Sequence, residues 1–468
     1  MKVIVSGAGQ VGYNIARQLA NEHNDVTVVD RSEALIQRIN DTLDVQGLVG
    51  HGAQPDVLER AGAPDAEMII AVTAADETNM VICQVAHSLF DVPRKIARIR
   101  NQAYLDLRWR ALFSRDHMPI DVIISPEREV AHAVLDRLDV PGAFETMAFM
   151  DDMVRVVGTR LEENCPVVNT PLRQLTELFP DLLIVVTGVY RDGRLFVPSG
   201  DDQMFVGDEI YFAADINHVD RALSIFGHEE REARNVVVIG GGNIGLFLAE
   251  QLETTHPSVH IKLIEENAKR AEIVADRLTG GTIVLSGDGL DEDVLRDANV
   301  RDAETVVTLT NDDETNILAA LLAKQAGAER TMALVASPNY APLQGSLGID
   351  VFIDPRATTV STILEQVRRG RIRSVRSIRD GGAEIIEAEA LETSPLVGKA
   401  LRDIELPSGI MIGAIRRHKS GGQSDIGDVV IPRGGTRIEP GDRVVVFALK
   451  EQVGQVEQMF RVGLEFFT

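Results

Sequence analysis

At 468 residues, 44% apolar and 25% charged, the chain has the make-up of several folded domains and not of a disordered or fibrous polymer. A formal charge of −24 sets its surface against nucleic acid, and apolar stretches such as Met68 to Ala75 and Leu182 to Val189 fall well short of the roughly 18 to 20 residues a membrane-spanning helix needs. Two cysteines, Cys83 and Cys165, are too few for a disulfide framework, and no secretory leader precedes the first β-branched run, so a cytosolic place and buried thiols are expected.

The first elements read as strand Val3 to Ser6, helix Asn14 to Ala20, strand Val26 to Val29 and helix Glu33 to Asn40. This βαβα order predicts a parallel, doubly wound sheet. Between the first strand and helix lies Gly7-Ala8-Gly9-Gln10-Val11-Gly12, a Gly-x-Gly-x-x-Gly turn in the context a dinucleotide fingerprint requires. Gly7 permits the tight turn, Gly9 lets the backbone approach a pyrophosphate, and Gly12 allows helix to pack on strand. The helix N-terminus then turns its amides toward the phosphates. Asp30 ends the second strand 18 residues after Gly12, where a carboxylate accepts hydrogen bonds from a ribose diol and repels a 2′-phosphate. NAD or an adenosine nucleotide is therefore expected over NADP, an expectation that the neighbouring Arg31 tempers.

Ligands of open α/β sheets sit outside the carboxyl ends of the strands. That places Thr73 and Ala74, after the strand Met68 to Val72, at the ligand, along with Arg98 after Lys95-Ile96-Ala97. The Arg98 guanidinium would reach a phosphate; the plainer alternative is a surface ion pair. A Pro-initiated helix follows Ser125-Pro126, and then a segment rich in strands and tight turns that reads as a small α+β domain. The charged run His228 to Arg234 reads as a linker.

After it the chain repeats itself. Val236 to Gly245 restates Val3 to Gly12, with Gly240, Gly241, Gly242, Asn243, Ile244 and Gly245 as the second turn. Glu265 stands 20 residues beyond Gly245 in the place of Asp30. Gly50-His51-Gly52 is answered by Gly287-Asp288-Gly289, and Ala75-Asp76-Glu77-Thr78-Asn79 by Asp312-Asp313-Glu314-Thr315-Asn316. The strand Thr305 to Leu309 ends in Thr310-Asn311, whereas the counterpart of Arg98, near Leu334, is apolar. The two sites should therefore differ in anion affinity or in the nucleotide they prefer. Asp354-Pro355 opens a helix whose Val360, Ile363, Leu364 and Val367 make one apolar face, expected to join the nucleotide domain to the strand-rich domain after it or to pack on a partner. The basic run Arg368, Arg369, Arg371, Arg373, Arg376 and Arg379 reads as a solvated or internally paired segment, the alternative being a surface for acidic headgroups or a partner.

A dehydrogenase would need a separate domain bringing substrate and an acid–base group to the nicotinamide, and this chain offers a second copy of itself instead. No Gly-x-Ser-x-Gly, His-Glu-x-x-His or Gly-Lys-Ser/Thr motif occurs, and Pro257 and Ser258 spoil His256 and His260 as a helical metal pair. Binding without turnover is the expected function, no metal or catalytic residue is assigned, and an NAD-dependent oxidoreductase and a purely structural component are the alternatives.

Gly-Ala-Gly-Gln-Val-Gly, Asp30, Gly50-His51-Gly52-Ala53, Ala-Asp-Glu-Thr-Asn and Ile96-Ala97-Arg98-Ile99-Arg100-Asn101, in tandem order over nearly the whole chain, resemble the RCK domains (regulators of potassium conductance) of bacterial potassium transport. The resemblance implies two Rossmann-like N-terminal domains, 1–123 and 233–349, each followed by a small α+β C-terminal domain, 143–227 and 369–453. It further implies a regulatory subunit, peripheral on the cytoplasmic face of the inner membrane, that forms a homo-oligomeric ring beneath a separate potassium-translocating subunit. NAD or NADH, with ATP and ADP as further candidates, would be its ligands. The first turn with Asp30, Gly52, Thr73, Ala74 and Arg98 would make one site, and the second turn with Glu265, Gly289, Thr310 and Asn311 the other. His51 in place of an Asp implies a modest effect on adenosine affinity, and the absent arginine implies weaker binding at the second site.

Overall fold

A computed structural model describes residues 1–21, 24–229, 233–340, 343–367, 372–417 and 427–460. The chain divides into two compact units, Met1–Val134 with Arg234–Val367, and Leu135–Ala233 with Arg368–Thr468. Each unit therefore draws one part from each sequence copy.

In chain order the first copy holds β1 (Lys2–Ser6), α1 (Gln10–Asn21), β2 (Asp25–Asp30), α2 (Glu33–Thr42), β3 (Gln46–Val49), α3 (Pro55–Arg60), β4 (Met68–Ala71), α4 (Asp76–Phe90), β5 (Arg94–Arg98), β6 (Val122–Ile124) and α5 (Pro126–Leu138). Its strand-rich part comes next as β7 (Ala143–Phe149), β8 (Val154–Arg160), α6 (Leu172–Leu178), β9 (Ile184–Arg191), β10 (Arg194–Phe196), β11 (Glu209–Asp215) and α7 (Val219–Ile225). The second copy repeats this with β12 (Asn235–Ile239), α8 (Asn243–Thr255), β13 (His260–Glu265), α9 (Ala268–Arg277), β14 (Ile283–Ser286), α10 (Glu292–Asp297), β15 (Thr305–Thr308), α11 (Asp313–Ala326), β16 (Arg330–Leu334), α12 (Gln344–Leu347), β17 (Val351–Ile353) and α13 (Pro355–Val367). It closes with β18 (Ile372–Ile378), β19 (Ala383–Glu389), β20 (Ile410–Arg416), β21 (Val429–Val430), β22 (Arg443–Leu449) and α14 (Val453–Met459).

The first unit contains two all-parallel sheets, ordered β3-β2-β1-β4-β5-β6 and β14-β13-β12-β15-β16-β17. Strand order reverses beside β1 and beside β12, which makes the carboxyl ends there the natural crevice. The strands are almost continuously apolar because both faces are covered. Alternate residues of β1 feed different cores. Val3 and Val5 meet Ile15, Ala16 and Leu19 of α1, whereas Ile4 packs with Leu58 of α3 and with Ile82 and Cys83 of α4. Burial pushes the Cys83 thiol up to about 12, and both cysteines are buried and free.

The Pro-initiated helices are exchanged between the two halves of this unit. Ile363, Leu364 and Val367 of α13 complete the core around α1, with Val360 at its edge. The apolar face read as a joint or a docking surface is thus buried inside the chain itself. In return His132 of α5 meets Phe247 of α8 edge-on, ring centres 5.7 Å apart, and the Arg128 guanidinium lies 5.2 Å from the same ring. The two helix starts differ in their caps. Asp354 Oδ1 accepts from the amides of Arg356 (2.7 Å) and Ala357 (3.2 Å), but the Ser125 hydroxyl bonds Glu127 and Gln102 instead of an amide of its helix.

The second unit holds two five-stranded antiparallel sheets, β10-β9-β11-β8-β7 and β18-β19-β22-β20-β21. Phe149 and Tyr211 of one share a core with Ile385 and Phe447 of the other. Asp151, in a left-handed turn, accepts from Arg443 (2.7 Å) and Arg416 (2.5 Å), which holds its carboxyl down to about 2. Of the basic run, Arg373 pairs with Glu389 and Arg379 with Glu209, the internal pairing that was expected; Arg368, Arg369 and Arg371 lie outside the described residues. The run read as a linker begins with a docked residue, since His228 is buried and its Nε2 lies 2.8 Å from the Arg160 carbonyl. Among the described residues no helix is long and apolar enough to cross a membrane.

Candidate nucleotide sites

Each glycine turn is fixed by its strand neighbours. The Gly7 amide donates to the Val29 carbonyl and the Gly240 amide to that of Ile264, both at 2.8 Å. Gly7 and Gly240 have φ of 114° and 110°, a region that disfavours any side chain. A Cβ on Gly12 would lie 1.7 Å from the Gly7 carbonyl oxygen, and one on Gly245 would lie 2.0 Å from that of Gly240. Turn geometry and helix packing account for these four glycines. Gly9 and Gly242 are different, because a Cβ there would meet nothing within 4 Å. Neither the turn nor helix packing requires glycine at these two positions, which border open space. No acidic residue stands in the first turn of α1 or α8, so their free amides face an approaching anion unopposed.

The acid of each half closes over its own turn. Asp30 accepts from the amides of Ala8 (2.7 Å) and Ser32 (2.8 Å); Glu265 accepts from those of Gly241 (2.8 Å) and Asn267 (2.9 Å). Each carboxylate oxygen keeps a second lone pair for a ribose hydroxyl. Gly9, Gln10 and Ala74 are exposed in the first half, as are Gly242, Asn243 and Asn311 in the second, whereas Val11 and Ile244 are half-buried at the helix starts. The glycines at 52 and 289 are explained by the fold, since a Cβ would meet Ser6 Oγ at 2.1 Å and Ile239 Cγ2 at 2.4 Å. His51 does the work of its counterpart: its Nδ1 accepts from the Ala53 amide as Asp288 accepts from that of Leu290.

The repeated Asp-Glu-Thr-Asn run proves to be a clasp. Buried Asn79 accepts from the amide and hydroxyl of Thr73 and donates to the carbonyls of Thr73 and Arg98. Asn316 makes the same four bonds to Thr310 and Leu334. Asp76 then receives the amides of Arg100 and Asn101, and Asp313 those of Ala336 and Ser337. Both strand-end loops are held beside the turns by Asn79 and Asn316, positions that the sequence reading did not assign to the sites. Their signal was present: a polar residue repeated where the helical pattern calls for an apolar one.

Against this shared scaffold three positions differ. Arg98 is 8% exposed, donates Nη2 to the Thr73 carbonyl at 2.7 Å, and leaves Nε without a partner. Its burial lowers it to about 10, which puts the cost of keeping it charged at about 3 kcal/mol. A surface ion pair it is not. Leu334 occupies the equivalent place, its carbonyl bound by Asn316 as that of Arg98 is by Asn79. Ser6, with a buried and unpartnered hydroxyl, is answered by Ile239. Conversely the second half has Arg270 where the first has Leu35: Arg270 Nε donates to the Gly241 carbonyl at 2.7 Å. His256 ends α8 and His260 opens β13.

The TrkA-N domain family matches residues 3–126 and 236–355, and the TrkA-C domain family matches 156–227 and 385–461. The chain is 53% identical over 467 residues to the Trk system potassium uptake protein TrkA of Azorhizobium caulinodans, covering 100% of both chains. It is 40% identical over 471 residues to that of Halomonas elongata, again covering 100% of both. Among solved structures it resembles the GsuK RCK domain, with TM-score 0.57 and 17% identity over 98% of this chain and 94% of that one. It also resembles the GsuK channel bound to NAD, with TM-score 0.58 and 17% identity over 98% and 78%. At that identity the structural likeness speaks for the fold.

Proposed function

The chain belongs to the family of the Trk system potassium uptake protein TrkA, and we propose on that premise that it is a nucleotide-binding regulatory subunit of potassium uptake. It acts from the cytoplasmic face of the membrane, as a homo-oligomeric ring, on a separate Trk-type potassium-translocating subunit. The observation that carries the nucleotide reading is the pair Gly9 and Gly242, whose missing side chains leave room that no protein atom fills. The ligands are NAD or NADH, and ATP or ADP. In the first half the turn from Gly7 to Gly12 takes the phosphates, Asp30 the ribose diol, and Thr73, Ala74 and Arg98 the far end. In the second half the turn, Glu265, Thr310 and Asn311 have the matching places. The domain limits that go with this reading are 1–123, 143–227, 233–349 and 369–453.

The nucleotide is a signal and not a reagent. The curated relatives are named as potassium uptake proteins, and none of them supports the oxidoreductase alternative. A bound nucleotide moves the assembly only through its differential affinity for two arrangements. Seating an anion against Arg98 offsets the burial of that charge, which gives the first half a direct energetic stake in occupancy. Calorimetry with NAD, NADH, ATP and ADP should show saturable binding without consumption, and Asp30→Ala should weaken it about tenfold. In vesicles carrying the membrane partner, potassium flux should respond to nucleotide. Flux indifferent to every nucleotide, with thermal stability still responding, would leave a structural ring component.

A further inference from the structure

The two strand-rich domains of the second unit meet as near-copies. Their sheets run in one order, β10-β9-β11-β8-β7 and β21-β20-β22-β19-β18, and β8 and β11 match β19 and β22 in length, seven residues each. Matching positions also fill the core they share: Phe149 and Ile378, Val156 and Ile385, Tyr211 and Val445, Ala213 and Phe447. Apolar burial is non-directional, so this core alone would let like domains of two chains pair as readily as the unlike domains of one.

At the strand ends the copies part. β8 ends in Arg160 where β19 ends in Glu389, and β11 begins with Glu209 where β22 begins with Arg443. In each sheet the two residues stand opposite one another, so the same two positions are charged with their signs inverted. Each domain reaches across to the other with the sign that fits. Asp151, in the turn after β7, accepts from Arg443 (2.7 Å) and Arg416 (2.5 Å), while Glu387 holds Arg443 from within its own sheet. Arg379, in the turn after β18, pairs with Glu209, and its guanidinium lies 3.7 Å from the ring centre of Tyr190. Tyr190 stands opposite Glu209 as Arg416 stands opposite Arg443. The side chains of Glu209 and Arg443 are only 12% and 16% exposed, so water does little to screen a like charge brought against either.

We propose that this inversion selects the partner: the first strand-rich domain fits the second and not a copy of itself, so the two pair within one chain and neighbouring chains do not exchange them. Two first domains face to face would set Asp151 against Glu209 at both junctions. Two second domains would set Arg379 against Arg443 and Arg416. Specificity is a difference between affinities, and a poorly screened like-charge contact in the wrong pair supplies it even where the right pair adds little net stability. The inference holds whether or not a nucleotide binds.

The test uses the full chain, with thermal melting and carboxyl-directed cross-linking in which the joined peptides are identified by mass spectrometry. In the unaltered protein the turn at Asp151 and Asp152 should join to the second strand-rich domain on a species of single-chain mass. Arg160→Glu with Glu209→Arg gives the first domain the signs of the second. The melting temperature should then fall by about 4 °C or more, and the same turn should join to position 160 on a species of two-chain mass, because two altered first domains now fit each other. Adding Arg379→Glu restores an opposite charge across the junction, and should recover at least half of the lost melting temperature and return the cross-link to single-chain mass. Three outcomes overturn the proposal. Unchanged melting and cross-links in the double variant would make these pairs inert surface contacts. A loss that Arg379→Glu does not recover would place the selection in the packing. Melting that falls and recovers while every cross-link stays within one chain would mean that the charges stabilise the pair without choosing it.

Discussion

Arg98 and Leu334 hold the same place in two copies of one fold. Each closes the fifth strand of its half, and each gives its carbonyl to the side-chain amide of a buried asparagine on the preceding helix, at 2.8 and 2.9 Å. Around them the copies agree in turn, clasp and acid, and the difference falls on side chains that would touch a ligand. The glycines and asparagines that build the crevice were kept in both copies, while the charge inside it moved from one flank of the turn to the other. Scaffold and chemistry are separable here, residue by residue.

That separation can be broken most forcefully at the glycines. Gly12→Ala and Gly245→Ala each drive a Cβ onto backbone, so each should cost more than about 4 kcal/mol and largely abolish soluble folded chain, equally in either half, as read by thermal melting. A half that tolerates the change would mean that its turn is not built as described. Next in size, Arg98→Leu should weaken nucleotide binding at the first half about tenfold to a hundredfold in calorimetry, with unliganded stability unchanged or raised because a buried charge is removed. Lost stability with retained affinity would make Arg98 a structural residue. Smallest in stability, Gly9→Ala and Gly242→Ala should leave the unliganded stability, read by thermal melting, within about 0.5 kcal/mol of the parent while reducing affinity only in the half altered. A loss of fold there would remove the argument that these glycines serve a ligand.

Much of this was legible in the residues. The β-branched runs, the two glycine turns and the acids at the ends of β2 and β13 announced parallel sheets with a crevice, and the family resemblance of the tandem order matched the domain families that the chain carries. The absent arginine at Leu334 was legible too, because strand register is set by position along the chain. Arg270 was not, since it reaches the turn from a helix, and helical spacing alone does not say which neighbour a long side chain will touch. Asn79 and Asn316 stood out only as part of a motif; their four hydrogen bonds depend on a carbonyl from the next strand. The exchange of α5 and α13 was hidden for a related reason: an apolar stripe declares that it will be buried but not against what. His228 misled because a charged stretch usually marks solvent, and here its first member bonds to a carbonyl inside the domain.

The exchanged helices have one more consequence. Because α13 of the second copy completes the core around α1 of the first, the two halves behave as a dimer whose subunits are tied end to end. Two identical chains pairing freely would carry two identical sites, and any change to one would appear in both. Covalent linkage guarantees one of each in every molecule at an effective concentration no bimolecular encounter needs to supply. Arg98 could therefore be kept in one crevice while its counterpart is Leu334, and a fixed one-to-one ratio of unlike crevices arises from both lying on a single polypeptide.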